Sequence, residues 1–252
     1  GVVIKVGAKV KRFKIGDEIY ARPADHRIGT FAERKAIHQA DVAMKPKNLT
    51  MAQAASIPLV GLTAWQALVE KAQLKKGQKV FIQAGSGGVG TFAIQLAKHL
   101  GATVATTTST INTAWVRSLG ADVVVDYKTQ DFETVLNNYD VVLHSQDTAT
   151  LKKSLRVLKS GGQLLSISGP PDPAFGQTSH APWFLKLAFK LLSARVRKQA
   201  KQLHVDYSFL FMQANGAQLE QITALIEAGI IRPVVDKIFP FEAVMLPKKS
   251  GF

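Results

Sequence analysis

The sequence predicts an α/β protein built on a doubly wound parallel sheet, preceded by a smaller antiparallel β unit. Two observations carry this prediction. From Lys79 onward, short apolar strands alternate with amphipathic helices, which is the pattern of βαβ units. Before Pro46 the chain alternates short apolar runs with turn residues, which is typical of antiparallel β structure.

The amino-terminal part is predicted to contain three strands followed by two helices. Gly7 and Gly16 supply turn signals between the first apolar runs. Thr50 is a suitable N-cap for the first helix, and Pro58 is expected to interrupt the helical pattern. The predicted elements are the strands Val2–Val6, Glu18–Ala21 and Thr30–Ala36, and the helices Met51–Ser56 and Leu62–Lys71.

The larger part is predicted to contain five strands joined by helices. Its first helix shows apolar residues at helical spacing and ends at Gly101, a typical C-terminal stop. The predicted strands are Val80–Gln83, Thr103–Thr107, Val123–Val125, Val141–His144 and Gln163–Ser168, and the predicted helices are Val89–Leu100, Ala114–Leu119 and Leu151–Leu158.

Composition excludes several classes of function. The chain has 252 residues, 46% of them hydrophobic, which suits one large domain or two modest ones. It has no cysteine, which excludes a disulfide framework, a thiol nucleophile and any thiolate metal site. Lysines interrupt every long apolar run, so we expect no signal peptide, no integral membrane segment and a cytoplasmic location.

A glycine-rich turn carries the most specific functional signal. Gly85, Gly87 and Gly90 form a G-x-G-x-x-G pattern that follows an apolar strand and opens a helix. Glycines at these positions allow a tight turn and a close approach of the backbone to a pyrophosphate, which the helix N-terminus then holds. The pattern therefore predicts a dinucleotide site, the alternative being a purely structural turn.

The end of the second strand of this sheet indicates which dinucleotide is bound. Sites for NAD usually place an acid there, whereas residues 106–110 are all threonine or serine and the first acid afterwards is Asp122. Hydroxyl groups can donate hydrogen bonds to a 2′-phosphate, so the sequence favours NADP(H). The alternative is that these threonines merely suit the end of a strand.

Four segments together resemble a known family. Pro58–Trp65, Gly77–Val80, the Ala84–Gly90 turn and Leu119–Asp122 are similar to the medium-chain dehydrogenase/reductase superfamily, in its zinc-free, quinone oxidoreductase-like branch. The resemblance implies a Rossmann domain over 57–214. It also implies a partial GroES-like catalytic domain over 1–56, completed by 215–252. Because both ends depart from the family pattern, we expect a chain truncated at both ends.

The resemblance also implies an activity and a set of cofactor-binding residues. Members of the family reduce quinones or activated alkenes with NADPH, and they form homodimers. The family's lysine beyond Ser109 is missing here. The positions that match the family's cofactor contacts are Thr63, Ser86, Gly87, Gly88, Val89, Ser109, Tyr127, Ser168, Gly169, Phe209 and Phe211, where Phe209 and Phe211 could equally be core residues.

The catalytic groups are less well defined than the cofactor site. The zinc-dependent branch of the superfamily uses two cysteines, which this chain lacks, so we expect no zinc. His26 is a weak candidate for the proton donor, and an exposed loop histidine is the commoner explanation. An alternative function is a nucleotide-binding fragment or sensor without turnover.

The net charge of +14 suggests nucleic-acid binding, but no recognition motif accompanies it. Six of the basic residues lie between Lys186 and Lys201, on a predicted helix over Trp183–Lys201 that contains no acid. This segment is interpreted as a solvated face beside a core stripe. A helix that binds a membrane surface or a protein partner is the alternative. We expect a small-molecule acceptor and no nucleic acid as partner.

Overall fold

The computed structural model describes residues 1–25, 29–179, 181–241 and 243. Their β-strands are β1 (Ile19–Ala21), β2 (Val42–Met44), β3 (Lys79–Ile82), β4 (Thr103–Thr108), β5 (Val123–Asp126), β6 (Tyr139–His144), β7 (Leu158–Ser166) and β8 (Asp206–Phe209). Their α-helices are α1 (Met51–Ala55), α2 (Pro58–Trp65), α3 (Gly88–His99), α4 (Thr113–Ser118), α5 (Phe132–Val135), α6 (Thr148–Arg156), α7 (Pro173–Thr178), α8 (Trp183–Leu192), α9 (Ala194–Gln202) and α10 (Gly216–Glu227).

The chain divides into two compact units, which we call the small and the large unit. The small unit comprises Gly1–Leu59 and the described part of Gln213–Phe252, and the large unit comprises Val60–Met212. In the small unit β1 and β2 pair antiparallel, and α10 packs against β2. The buried Tyr20 hydroxyl, 2.8 Å from both Leu219 O and Thr223 Oγ1, joins β1 to α10.

Two predicted strands of the small unit are wrong. Val2 makes only an isolated bridge to Glu18, and Val2–Val6 forms no strand. Residues 30–36 are exposed and form no β-structure, so Thr30–Ala36 is not a strand either. The second predicted strand, Glu18–Ala21, is present as β1, and β2 was not predicted. Alternation of apolar residues identifies segments that could pair, whereas a strand also requires a partner at hydrogen-bonding distance.

The large unit is a six-stranded sheet with the order β5-β4-β3-β6-β7-β8. All five strand pairs are parallel, so the predicted doubly wound sheet is confirmed. Phe81 of β3 lies fully buried in the main core, with ring centroids 5.0 Å from Phe132 and 6.3 Å from Tyr139. The chain order along the sheet reverses between β3 and β6, which is where such sheets bind ligands.

Several helices begin or end away from their predicted bounds. The expected break at Pro58 is present, since α1 ends at Ala55, but Pro58 itself begins α2, four residues before the predicted start at Leu62. The following Gln66–Lys71 is a π-helix instead of a continuation of the α-helix. The predicted helix over Trp183–Lys201 is two helices, because the buried Ser193 Oγ donates to Phe189 O at 2.7 Å and bends the chain.

The predicted N-cap of α1 is confirmed, since Thr50 and Gln53 form a reciprocal capping box. Among the described residues, no helix is long and apolar enough to cross a membrane.

Candidate dinucleotide-binding site

The predicted cofactor residues of the large unit converge on one edge of the sheet. Because β3 to β8 are all parallel, their carboxyl ends lie at the same edge. Ser86–Val89 follows β3, Ser109 follows β4 and Tyr127 follows β5. Ser168 and Gly169 follow β7, which ends at Ser166 and so two residues earlier than predicted.

The glycine-rich turn is fastened to the end of β4. Gly85 N donates to Thr107 O at 2.9 Å, and Ala84 N donates to Thr107 Oγ1 at 3.2 Å. Within the turn, Gly87 N donates to Ala84 O at 2.9 Å. Ala84 itself takes a positive φ of 51°, which is uncommon for a residue with a side chain. These bonds fix the turn before any ligand is present.

Two glycines of the motif are required by the space around them. A Cβ on Gly85 would lie 2.2 Å from Thr106 Oγ1, and a Cβ on Gly90 would lie 2.2 Å from Ala84 O. Both distances are far below van der Waals contact, so any larger residue would push the turn away from the sheet. The spacing of the glycines therefore serves close packing of turn, strand and helix, as the motif predicts.

The turn opens into α3 at an N-terminus without a side-chain cap. Gly87 is the N-cap, Gly87 O accepts from Thr91 N at 2.9 Å, and no side chain caps the first turn. The first N–H groups of a helix have no partner within the helix, and the helix dipole makes this end positive. Gly87 and Gly88 are exposed, so a phosphate can reach these donors. The cradle fits the pyrophosphate of a dinucleotide.

The threonines of β4 have structural roles that the sequence did not indicate. Thr106 Oγ1 donates to Ile82 O at 2.6 Å, and Thr107 Oγ1 holds the glycine turn. The buried Thr108 Oγ1 has no partner among the described residues. The hydroxyls of Thr106 and Thr107 are therefore committed inside the sheet. Thr110 Oγ1 likewise donates to Asp126, so Ser109 is the partly exposed member of the run whose hydroxyl proton is not engaged by a described residue.

A cleft of about 570 Å³ adjoins the turn at the ends of β4 and β5. Ala84, Thr107, Tyr127 and Lys128 line its sheet side. Tyr127 N donates to Thr108 O at 3.2 Å, which places Tyr127 beside the residue preceding Ser109. The structure thus brings together the predicted residues of the adenosine end, and it adds Lys128, which sequence reasoning missed.

Two acids lie near this cleft: Asp131 lines it and pairs with Lys153, and Asp126 is the last residue of β5. The Asp126 carboxylate accepts from Thr110 Oγ1 and from Lys128 N, and these hydrogen bonds hold its pKa below the usual range. Asp122 lies at the opposite end of the strands, where it accepts from Val104 N at 2.7 Å and pairs with Lys98. Asp122 is therefore remote from the site.

A buried histidine holds the ends of β6 and β7 together, and sequence reasoning missed it. His144 is fully buried, with Nδ1 2.8 Å from Ser166 Oγ and Nε2 3.1 Å from Asp147 O. Burial lowers the pKa of His144. Ser166 Oγ also accepts from Gly169 N at 2.7 Å, so this network sets the position of the predicted contact Gly169.

The remaining predicted residues lie at the far side of the sheet edge or in α2. Phe209 and Phe211 both contact the ring of Phe175, with centroids 5.2 and 5.8 Å away. Phe209 N donates to the buried carboxylate of Asp172 at 3.0 Å. Thr63 is buried in α2 of the large unit.

The predicted proton donor, His26, lies outside the described residues. In the part of the chain that the structure describes, no three His, Asp or Glu side chains form a group that could hold a metal. Zinc independence therefore stays a prediction that follows from the sequence.

A six-stranded, doubly wound parallel sheet with this glycine cradle defines a dinucleotide-binding α/β protein. Residues 119–245 match the family model of the zinc-binding dehydrogenases. The chain belongs to the medium-chain dehydrogenase/reductase superfamily, in its quinone oxidoreductase-like branch, and this membership confirms the predicted family.

Three similar proteins illustrate the membership. The mitochondrial NAD(P)H oxidoreductase RTN4IP1 of Danio rerio is 36% identical over 97% of this chain and 65% of its own length. The 2-methylene-furan-3-one reductase of Solanum lycopersicum is 35% identical over 96% of this chain and 55% of its own length. The structure of the quinone oxidoreductase from Coxiella burnetii superposes with a TM-score of 0.81 at 31% identity, covering 96% and 70% of the two chains.

The chain thus spans between about half and two thirds of the length of these two curated relatives.

Proposed function

We propose that the protein is an NADPH-dependent reductase that delivers hydride to a quinone or to an alkene activated by a conjugated carbonyl group. The observation that carries the proposal is the glycine cradle at the switch point, where the exposed Gly87 and Gly88 open the uncapped N-terminus of α3 to a ligand's pyrophosphate. When bound, the nicotinamide cofactor supplies the hydride, and the protein supplies binding, orientation and electrostatics.

The preference for NADPH over NADH rests on the residues at the adenosine end. Ser109 stands at the end of β4, where an NAD site usually has an acid. Lys128 lines the adjoining cleft and provides a cation there. It would replace the lysine that the family normally carries beyond Ser109 and that this chain lacks.

One curated relative and the solved structure suggest the class of acceptor by their names. The substrate named for the tomato reductase has a methylene group conjugated with a ketone, and the Coxiella enzyme is named for quinones. Both acceptors are activated by conjugation, so hydride can be added without a metal to polarise an isolated carbonyl group. Because the chain has no cysteine for a thiolate zinc site, we propose that its reaction is zinc-independent.

The chain's own residues have three tasks in this reaction. The first turn of α3 binds the pyrophosphate through backbone N–H groups. The His144–Ser166–Gly169 network orients the loop after β7, which the resemblance places near the cofactor. Thr63 and the backbone near Phe209 are proposed to position the nicotinamide ring. No described residue is assigned as the proton donor.

The alternative is a protein that binds the dinucleotide without turnover, such as a sensor. The glycine cradle alone would serve such a protein equally well, because it binds phosphate without taking part in hydride transfer.

A two-stage experiment tests the function. NADPH and NADH are titrated first, with fluorescence as the readout, and NADPH oxidation is then followed with a panel of quinones, enones and enals. We expect saturable binding that favours NADPH and oxidation by at least one acceptor class. In Gly90→Ala, NADPH binding should weaken about tenfold or more, since displaced donors lose charge-assisted hydrogen bonds.

Gly7→Ala is the matched control, because a Cβ at Gly7 meets nothing closer than 3.9 Å. Equal NADPH affinity of Gly90→Ala and the wild type would refute the assigned site. Normal NADPH binding with no acceptor reduced would favour the alternative without turnover.

A homodimer and a cytoplasmic location are further proposals. The edge strand β8 pairs only with β7 within the described residues, which leaves an edge available for a second copy. Sedimentation equilibrium tests the dimer. The RTN4IP1 relative is named as mitochondrial, so a tagged protein should be localised in cells to test the cytoplasmic proposal.

A further inference from the structure

The helix α8 exposes an apolar face that no described element covers. None of its ten residues is buried. Trp183 and Leu191 are 77% and 67% exposed, and Phe184 and Leu187 are also exposed. Monomeric proteins rarely expose apolar side chains in such a group, so the face indicates a binding surface.

The other side of α8 accounts for its attachment to the large unit. Phe189 packs on Phe175 of α7 with ring centroids 5.6 Å apart, and a Cβ on Gly176 would lie 3.2 Å from the Phe189 ring. At about 100° per residue, Trp183, Leu187 and Leu191 form one stripe that points away from this contact. The exposed apolar stripe is therefore the outer face of a helix whose inner face packs against α7.

The next helix, α9, presents cations in the same manner. Val196 and Ala200 belong to the main core of the large unit, which fixes the inner face of α9. Arg195, Lys198 and Lys201 are exposed and follow one another at three-residue spacing on the outer face.

The junction between the two helices is braced by Arg197. Its Nε donates to Ser193 Oγ at 3.1 Å, and its Nη2 donates to Lys190 O at 3.2 Å. These bonds hold the apolar face of α8 and the basic face of α9 in a fixed relation.

Charge identifies the kind of partner. The segment Trp183–Gln202 has six basic residues and no acid. Lys186, Lys190 and the three cations of α9 form no ion pair with any carboxylate in the described part of the chain. A second copy placed on this face by a twofold axis would bring the same cations together, which is unfavourable. A nucleic acid would match the cations, but its bases stack on aromatic side chains and would not bury the exposed leucines.

We propose that α8 and α9 form a docking surface for an anionic lipid bilayer. The apolar face of α8 enters the boundary between headgroups and acyl chains, and Lys186, Lys190 and the outer cations of α9 bind lipid phosphates and carboxylates. Ten residues of helix span about 15 Å, half of a hydrocarbon core, so α8 lies along the surface and does not cross it. Trp183 is suited to this depth, because tryptophan prefers the membrane interface.

The test is partitioning of the full chain onto lipid vesicles. Vesicles of phosphatidylcholine with phosphatidylserine are compared with vesicles of phosphatidylcholine alone, by co-sedimentation and by the emission of Trp183. We expect binding to the anionic vesicles only, weakened by rising salt, with a blue shift that Trp183→Phe abolishes. The triple variant R195Q/K198Q/K201Q should bind about a hundredfold more weakly, since each cation near the surface contributes to attraction. L187Q/L191Q should bind the anionic vesicles at least about tenfold more weakly than the wild type.

Matched controls change the same chemistry elsewhere. K5Q/K9Q/K11Q removes three exposed lysines, and I15Q/I238Q alters two exposed apolar residues of the small unit. Both controls should bind vesicles like the wild type, and all variants should keep the wild-type thermal midpoint.

Four results would overturn the proposal. They are equal binding to both kinds of vesicle, binding unaffected by the α8 and α9 variants, self-association that L187Q/L191Q abolishes without vesicle binding, and tighter binding to an oligonucleotide than to anionic vesicles.

Discussion

The clash at Gly85 gives a sharp prediction, because its partner is a side chain that can be removed. A Cβ at position 85 would lie 2.2 Å from Thr106 Oγ1, 2.9 Å from Cγ2 and 3.0 Å from Cβ. The shortest of these is about 1.2 Å below the lower end of ordinary contact at 3.4 Å. Thr106 is fully buried and donates to Ile82 O, so its side chain cannot rotate away from the added Cβ. Gly85→Ala should therefore cost about 1–3 kcal/mol of stability, as overpacked cores do.

Thr106→Ala removes the two closest atoms and leaves only the contact at 3.0 Å. Alone, it should cost about 1 kcal/mol for the lost hydrogen bond to Ile82 O. In the double variant G85A/T106A the clash is largely gone, so the combined loss should be smaller than the sum by about 1–2 kcal/mol. Gly90→Ala provides the contrast, because its clash at 2.2 Å is with the backbone atom Ala84 O. G90A/T106A should therefore be additive.

Urea unfolding followed by tryptophan fluorescence measures these free energies. Trp65, Trp115 and Trp183 all lie in the large unit, so the signal reports the unit that contains the site. The same variants are titrated with NADPH, and G85A/T106A should recover part of the affinity that Gly85→Ala loses. The reasoning fails if G85A/T106A is additive, or if it is no more coupled than G90A/T106A.

Three further substitutions test individual groups of the site. Thr108→Val replaces a buried hydroxyl without a partner, so stability should stay equal or rise by about 1 kcal/mol in urea unfolding, and a clear loss would show that the hydroxyl is satisfied. Ser109→Asp places a carboxylate beside the proposed 2′-phosphate, so the Kd of NADPH should rise about tenfold or more while that of NADH does not, and parallel changes would contradict the mapping. His144→Gln tests whether this histidine makes the free energy of unfolding depend on pH. Burial lowers the pKa of His144 below 6.5, so the unfolded chain binds a proton that the folded one does not. Wild-type stability should then fall as the pH drops below 6.5, by at most about 1.4 kcal/mol per pH unit, and the variant should lack that slope. An unchanged slope in His144→Gln would exclude this histidine as its source.

The sheet was predictable because its local signals agree with the fold. Each strand of the large unit that was predicted is present, since buried parallel strands are short apolar runs bounded by turn residues. The sixth strand, β8, was not among the five predicted strands, because Asp206–Phe209 has little apolar alternation. Strand bounds follow hydrogen bonding to β7, which apolar content alone does not reveal.

The glycine positions of the site were predictable, but the side chains that hold them were not. Spacing identifies Gly85 and Gly90 because the motif is local in sequence. Thr106 and Thr107 act across about twenty residues, and which hydroxyl faces the turn depends on strand register. His144 likewise acts only because β6 and β7 are neighbours, so its link to Ser166 requires the topology.

The helix α8 shows a different limit of sequence reasoning. Its apolar stripe was interpreted as a core face, which is the usual meaning of such a pattern. The structure instead seats α8 through Phe189, and it leaves the stripe exposed. Periodicity reveals that a helix has an apolar face, whereas only the neighbouring elements decide whether that face is core or surface.

The distribution of charge separates the two proposed surfaces of the large unit. At the sheet edge, Lys153 pairs with Asp131 and Glu133, and the charge of Lys128 helps to lower the pKa of Asp126, so both lysines that line the cleft face described carboxylates. The backbone N–H groups at the start of α3 are therefore the main groups proposed to bind phosphate. The cations of α8 and α9 form no ion pair with described acids. They lie among exposed apolar side chains and outside the candidate dinucleotide site. The six basic residues of α8 and α9 thus place part of the net charge of +14 on the proposed docking surface and away from the cofactor site.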